Sequence, residues 1–401
     1  MYPIKKLSEI TSLITKWSTP TTYGYSFLSE WINFIKIENI SNGTISKPSL
    51  SAFISKEAHL SQKRSILEDW DFLVSIAWTI GSIALVTKDI LPANTNQALA
   101  IVRGYQDFVN KDFLRYIFLS SLSKWFKNKA RGGALQNISL EDIKNIEIPL
   151  PPLSTQSKIV AKLDEAFGNI DRQISLLKAN IEDVESVRKS AMEESFQSGE
   201  YEVKKLGSLA TFLSGWTPSK SNKLFWIGDI PWISPKDMKR AKIDSATDYV
   251  SQLAIDSSAT RILPPNSLLC VTRSGILIHS FPVAINTVPV SFNQDIRAIV
   301  PSKGLNSEYL FYALKAKERD ILSNGVKKWP TVHSIISWYL DKLEIPLPPL
   351  PRQHEIVEHL DRVFAQTAEL RSGYEAQIRD LETLRQSLLE EAFAGRLVSE
   401  D

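Results

Sequence analysis

The strongest constraint on this chain is a stretch that occurs twice. The first copy opens Glu147-Ile148-Pro149-Leu150-Pro151-Pro152-Leu153 and runs to about Phe196. The second opens Glu344-Ile345-Pro346-Leu347-Pro348-Pro349-Leu350 and runs to about Phe393. Laid over each other without a gap, the copies match at Gln156 and Gln353, Leu163 and Leu360, Asp164 and Asp361, Phe167 and Phe364, and Arg188 and Arg385. A repeat of this kind decides the fold before any local reading does.

Both copies share one physical pattern. Prolines set φ and remove donors, which predicts an extended, polyproline-like lead-in. Ser154 is placed as an N-cap, and Pro351 suits a first helical turn. Apolar residues then recur three and four apart. They are Leu163, Phe167, Ile170, Ile174, Leu177, Ile181 and Val184 in the first copy, and Leu360, Phe364, Tyr374, Ile378, Leu381, Leu384 and Leu388 in the second. That is a coiled-coil seam. Gly199 and Gly395 stand where left-handed caps end helices. A helix with one apolar stripe needs a partner, and the simplest partner is the other copy. The other reading packs each helix on its own domain.

The remaining chain repeats as well. Tyr201, Lys204, Lys205, Leu206 and Trp216 echo Tyr2, Lys5, Lys6, Leu7 and Trp17, and Asn293-Gln294 echoes Asn96-Gln97. The expected fold is α+β, with two duplicated, mixed β-rich heads separated by two long helices that form an antiparallel coiled coil with pseudo-two-fold symmetry. The boundaries read as head 1 over 1–146, lead-in and helix over 147–200, head 2 over 201–343, and lead-in and helix over 344–401. The helices agree well while the heads agree only at scattered anchors. That suits a shared scaffold carrying two different readers; plain drift after duplication is the alternative.

Charge follows the same division. The net charge of +2 splits into about +4 over 1–147, −3 over 148–200, +7 over 201–343 and −6 over 344–401. Basic heads suit a polyanion, which acidic helices would repel. The one cysteine, Cys270, excludes an internal disulfide and a cysteine-based zinc site, which fits a reducing cytoplasm. The most apolar run, Phe72 to Val86, is too short to span a bilayer.

Within head 1, Trp31 to Ile40, Phe72 to Trp78 and Ser82 to Val86 read as strands, with a turn at Thr79-Ile80-Gly81. Asp112 to Lys127 reads as a helix. In head 2, Leu268 to Thr272 reads as a strand ending in a turn at Arg273-Ser274-Gly275. Tyr309 to Asp320 reads as a helix, and Ser323 to Pro330 as a loop.

Motifs for catalysis are missing. There is no phosphate loop, no dinucleotide fingerprint and no His-Glu-x-x-His, and the five histidines do not cluster. Leu263-Pro264-Pro265-Asn266 has the wrong order for an amino-methyltransferase motif. Basic residues near aromatics and glycines are the better signal. Lys127, Lys129 and Arg131 follow the first-head helix beside Trp125 and Phe126; Lys327 and Lys328 follow the second-head helix beside Trp329. Lys220, Arg273 and Ser274 complete the candidate DNA contacts. Lysine and arginine neutralise phosphates, and arginine can read guanine with both nitrogens. Solvated basic loops are the competing reading. Asn96-Gln97 and Asn293-Gln294 have adenine-reading chemistry, but residues identical in both heads suit a structural role better.

The paired Ile-Pro-Leu-Pro-Pro-Leu stretches, each leading a long helix, resemble the repeated regions of type I restriction-modification specificity subunits. Gly215-Trp216-Thr217-Pro218-Ser219, Ile230-Pro231-Trp232-Ile233, Asn293-Gln294 and the Gly325 loop resemble that family's target-recognition domain. Head 1 departs from this, with Lys16-Trp17-Ser18-Thr19-Pro20 lacking the glycine. The resemblance implies a non-catalytic subunit that reads double-stranded DNA at a bipartite, asymmetric site, one head per half-site. It implies two modification (methyltransferase) subunits and restriction (motor-nuclease) subunits as partners. S-adenosylmethionine, ATP and Mg would sit on those partners, with no cofactor or metal in this chain. A structural coiled-coil adaptor, or a DNA enzyme with unrecognised motifs, is the alternative.

Overall fold

The computed structural model describes residues 2–41, 43–77, 82–118, 138–197, 201–328 and 332–398. They form two compact units, Met1–Leu177 with Glu375–Asp401, and Lys178–Tyr374. The duplicated stretches become helices Leu153–Ser195 and Leu350–Phe393. Each helix contributes one part to each unit, so the compact units cut across the helices rather than following the four-way division of the sequence.

In the first unit, the N-terminal part of the first helix packs against the C-terminal part of the second. Lys162 donates to the carbonyl of Leu397 at 3.0 Å, Arg385 pairs with Asp171, and the Arg385 guanidinium lies 4.9 Å from the Phe167 ring centre. In the second unit the roles exchange. Arg188 Nε donates to Thr367 Oγ1 at 2.7 Å, its guanidinium lies 5.2 Å from the Phe364 ring centre, and Arg371 pairs with Glu185 at 2.8 Å. Rising numbers on one helix meet falling numbers on the other in both units, so the pairing is antiparallel. Leu163, Ile170, Leu177, Val184 and Leu360 are buried, as the seam requires. Leu384 is not: it is 47% exposed, and Leu389 and Ala392 take the buried positions near that end.

Cap details differ from expectation. The first helix already starts at Leu153, so Ser154 lies inside its first turn. Pro351 falls in the first turn of the second helix, and Gly395 adopts φ +77 beyond its end. Gly199 lies outside the described residues. The proline lead-ins are extended, but they are paired strands. Glu147–Pro149 pairs antiparallel with Ile4–Lys6, and Glu344–Pro346 with Val203–Lys205. Pairing satisfies the backbone donors and acceptors that the flanking prolines leave in place.

Head 1 holds an antiparallel four-stranded sheet in the order Thr11–Thr15, Leu99–Tyr105, Phe72–Ser75, Ile83–Leu85. A second sheet joins Phe53–Ile54, Ile32–Ile35 and Ala93–Thr95. Head 2 repeats both, as Ala210–Ser214, Ile296–Pro301, Leu268–Val271, Val283–Asn286, with Lys242–Ile243 added in parallel as a fifth strand, and as Asp248–Val250, Ile230–Ile233, Ser291–Phe292. The strand expected over Trp31 to Ile40 stops at Ile35, because Asn39 folds back to accept from the Lys36 amide and a 3-10 turn follows. The Thr79-Ile80-Gly81 turn lies outside the described residues. So does the end of the helix expected to reach Lys127; its described part is Lys111–Ile117, capped by Asn110. The helix expected over Tyr309 to Asp320 is two, Ser307–Ala316 and Glu318–Asn324, broken at Lys317.

Each head core includes the end of a helix from the other half of the sequence. Leu389, Ala392 and Val398 join Phe113, Leu114 and Ile117 in one cluster. Ala191 joins Tyr309, Leu310 and Ala313 in another, where Phe196 lies 5.2 Å from Tyr309.

Candidate nucleic-acid interface

Two expectations about local structure in head 2 are overturned, and together they build the site. Arg273–Ser274 is a strand, not a turn. Val326–Lys327, expected within a loop, is a strand too, and Ser323 and Asn324 belong to the preceding helix. Both strands flank His333–Ile335, giving a three-stranded antiparallel sheet.

Register decides which side chains share a face. Arg273 stands opposite Ser334, and Lys327 stands opposite the same Ser334 on the other side. Residues directly opposite in antiparallel strands project to one face, and neighbours along a strand project to the other. The next row holds Val326 opposite Ile335, and Ile335 is 7% exposed within the head-2 core. The row Arg273, Ser334, Lys327 therefore looks away from the core, and both cations are exposed.

The sheet is tied down from beneath. The amides of Thr272 and Arg273 both donate to the carbonyl of Asp295, at 2.8 and 3.2 Å, and the Ile335 amide donates to the Thr272 carbonyl at 2.8 Å. Asn293 shapes that support: its Oδ1 accepts from the Asp295 amide at 3.1 Å, and its Nδ2 reaches Asp295 Oδ2 at 3.2 Å. Gln294 accepts from Thr217 Oγ1 at 2.5 Å, as Gln97 accepts from Thr19 Oγ1 at 2.8 Å in head 1. The shared Asn-Gln pairs are thus engaged within their heads, in keeping with a structural role.

At the far edge the Gly325 amide donates to Ile321, and its carbonyl accepts from Ile336. A Cβ on Gly325 would lie 2.5 Å from Tyr339 Cδ1, so glycine is needed there for closeness of approach. Ser274 caps the following 3-10 turn by accepting from the Ile276 amide at 3.4 Å. Ile276 and Ile278 in that turn are 45% and 54% exposed, beside the basic row.

Lys220 sits elsewhere. It lines a cavity of about 810 Å³ with Lys223, Trp226, Trp232, Asp248 and Tyr249. Trp226 and Trp232 meet edge to face at 5.0 Å, and Asp248 pairs with Lys236 at 2.7 Å. Nearby, burial works against ionising Asp237, but hydrogen bonds from Thr247 and Ser234 outweigh it and hold the carboxyl below its ordinary range. Lys127, Lys129 and Arg131 lie outside the described residues. Lys328 is exposed and follows the edge strand. Ser334 and Lys223 were not singled out from the sequence. Only strand register brings Ser334 between two cations, and Lys223 is an unremarkable lysine until Trp226 folds beside it.

Burial pushes the Cys270 thiol up to about 12, so it is a core residue rather than a nucleophile. Among the described residues no group of three His, Cys, Asp or Glu side chains could hold a metal, and no helix is long and apolar enough to cross a membrane.

Comparison with known proteins identifies the family. The family model for the type I restriction modification DNA specificity domain matches twice, over residues 5–186 and 198–380. The chain is 35% identical to the type I restriction enzyme EcoR124I/EcoR124II specificity subunit of Escherichia coli over 292 residues, covering 71% of this chain and 70% of that protein. Among solved structures, one from a study of complex assembly and conformational transition in the type I R-M system superposes with TM-score 0.77 at 21% identity, covering 99% of this chain and 98% of that one. The HsdS subunit from Thermoanaerobacter tengcongensis superposes with TM-score 0.59 at 21% identity, covering 99% and 97%. At that identity the superpositions speak for the fold, while the doubled domain match carries the family. The chain belongs to the type I restriction-modification specificity subunits, the non-catalytic members that carry two target-recognition domains.

Proposed function

We propose that this subunit reads double-stranded DNA at an interrupted, asymmetric site, with one head for each part, and that the paired helices fix the unread interval. The outward row Arg273, Ser334, Lys327 is the observation that carries the reading for head 2. It sets two exposed cations on the outer strands of a three-stranded sheet, where both can face the phosphates and base edges of one groove. Lys328 and Lys220 add phosphate contacts in this proposal. The divergence of the two heads supports asymmetry, because identical readers would select a palindrome. Two modification subunits, which methylate adenine, and the restriction subunits are the proposed partners; S-adenosylmethionine, ATP and Mg belong to them.

Co-expression with the cognate modification subunit, followed by sequencing for methylated adenines, tests the reading. The expected result is a motif of two unlike parts at a constant interval. A contiguous motif, or methylation indifferent to sequence, would remove the bipartite assignment.

A further inference from the structure

We infer that Arg273 is a base-reading residue of head 2, selecting one guanine through the major groove, and that Lys327 in the same row supplies phosphate contact without sequence preference. This rests on the DNA-reading function proposed above and adds the division of labour within the sheet.

The first support is geometric. Arg273 and Lys327 flank Ser334 in one row, on strands that sit two sheet spacings apart. Adjacent strands lie roughly 4.8 Å apart, so the two backbones are about 10 Å apart. The major groove is about 12 Å wide. Laid across the mouth of the groove, the outward row can set Arg273 over the base edges while Lys327 reaches the phosphates of the groove wall. Ser334 between them is short, so it does not hold the sheet off the bases.

The second support is chemical. Guanine presents two acceptors, O6 and N7, toward the major groove, and the planar guanidinium matches both at once. An ammonium is a single point charge on a flexible stem and suits a phosphate. Lys327 is moreover followed directly by Lys328, a doubling that fits a phosphate track better than one base edge.

The third support is preorganisation. A reading side chain must stand on backbone that does not shift. The Arg273 amide is bonded to Asp295, and the Asn293 side chain fixes the turn that presents that carbonyl. Among the other head-2 arginines, Arg297 is committed within the head and Arg240 to a surface pair. Arg297 lies 4.1 Å from the Phe212 ring centre and pairs with Asp341, and Arg240 pairs with Asp244. Arg273 makes no ion pair with the described residues.

The test uses the complex with its modification subunit and a duplex carrying the motif found by sequencing. Each guanine is replaced in turn by 7-deazaguanine, which lacks N7, and affinity is measured across a salt series. The wild-type complex is expected to lose about tenfold to hundredfold in affinity at one guanine of one half-site. Arg273→Gln is expected to become indifferent to that replacement. Arg273→Lys is expected to lose the same discrimination while keeping the wild-type salt slope. Lys327→Gln is expected to weaken all duplexes alike and to reduce the salt slope by about one. Circular dichroism and melting confirm folding of each variant. An Arg273→Gln complex that keeps the full guanine preference overturns the assignment, as does one that loses affinity equally for every duplex. A wild-type complex with no sequence preference would instead overturn the DNA-reading function itself, and this assignment with it.

Discussion

Gln156 Oε1 accepts from the backbone amide of Asn110 at 2.8 Å, where Asn110 caps the head-1 helix Lys111–Ile117. Its Nε2 donates to the carbonyls of Phe108 and Pro151, at 3.0 and 2.8 Å. Gln353 repeats all three bonds, to Asn306, Gly304 and Pro348, at 2.8, 2.9 and 2.9 Å. Both glutamines are fully buried. One side chain thus locks the proline lead-in, a head loop and a long helix together, once per half.

Replacing Gln353 by Leu should be costly despite its similar size. It leaves an amide and two carbonyls buried without their partner, and each such group costs about 1–3 kcal/mol. A total loss of about 3 kcal/mol or more is expected from urea unfolding, since carbonyls retain some capacity to relax. Gln156→Leu should behave alike. A loss under about 1 kcal/mol would show the bonds to be dispensable.

Gly325→Ala should disturb the sheet of Arg273 and Lys327 specifically. The added methyl meets the Tyr339 ring at 2.5 Å and the Ile321 carbonyl at 2.8 Å. Overpacking of this kind costs about 1–3 kcal/mol. DNA affinity should fall with stability, and trimming the ring by Tyr339→Ala should restore part of both. Failure of the double variant to recover affinity would assign the clash to the backbone carbonyl alone.

Arg188→Ala tests the helix pair within its unit. The guanidinium bonds Thr367 and the Phe364 carbonyl and covers the Phe364 ring. Losing these contacts should cost about 2 kcal/mol, since bonds to a charged group are worth about 1.5–3 kcal/mol. Arg188→Lys should recover little, because a lysine cannot make both bonds and cover the ring. Thermal melting checks both.

Asp237 makes part of the stability of head 2 pH-dependent. Its folded carboxyl titrates below the ordinary range, although burial alone would raise it. A depressed carboxyl stabilises fully above its unfolded value of 3.8, and that contribution fades as pH falls through the lower folded value. Asp237→Asn should remove this component, so the variant should show a shallower acid-induced loss between roughly pH 5 and 2. The substitution is structurally reasonable, because Asn39 occupies the same place in head 1 and accepts from the Lys36 amide at 2.8 Å. Equal acid slopes for both proteins would refute it.

Much of this molecule was determined by the sequence alone. The helices, the need of each apolar stripe for a partner and the duplicated heads follow from periodicity and repetition, which are local or can be compared directly. A three-four spacing puts Leu163, Ile170 and Leu177 on one stripe, and all three are buried. The tertiary structure decided what the stripe could not. It turned the Arg273-Ser274 turn into a strand, and it exposed Leu384 while burying Leu389. It also placed Arg273 and Lys327 on either side of Ser334. The reason is physical: register between strands distant in the chain is set by backbone pairing and by the burial of Ile335, and neither is written in the spacing of the cations.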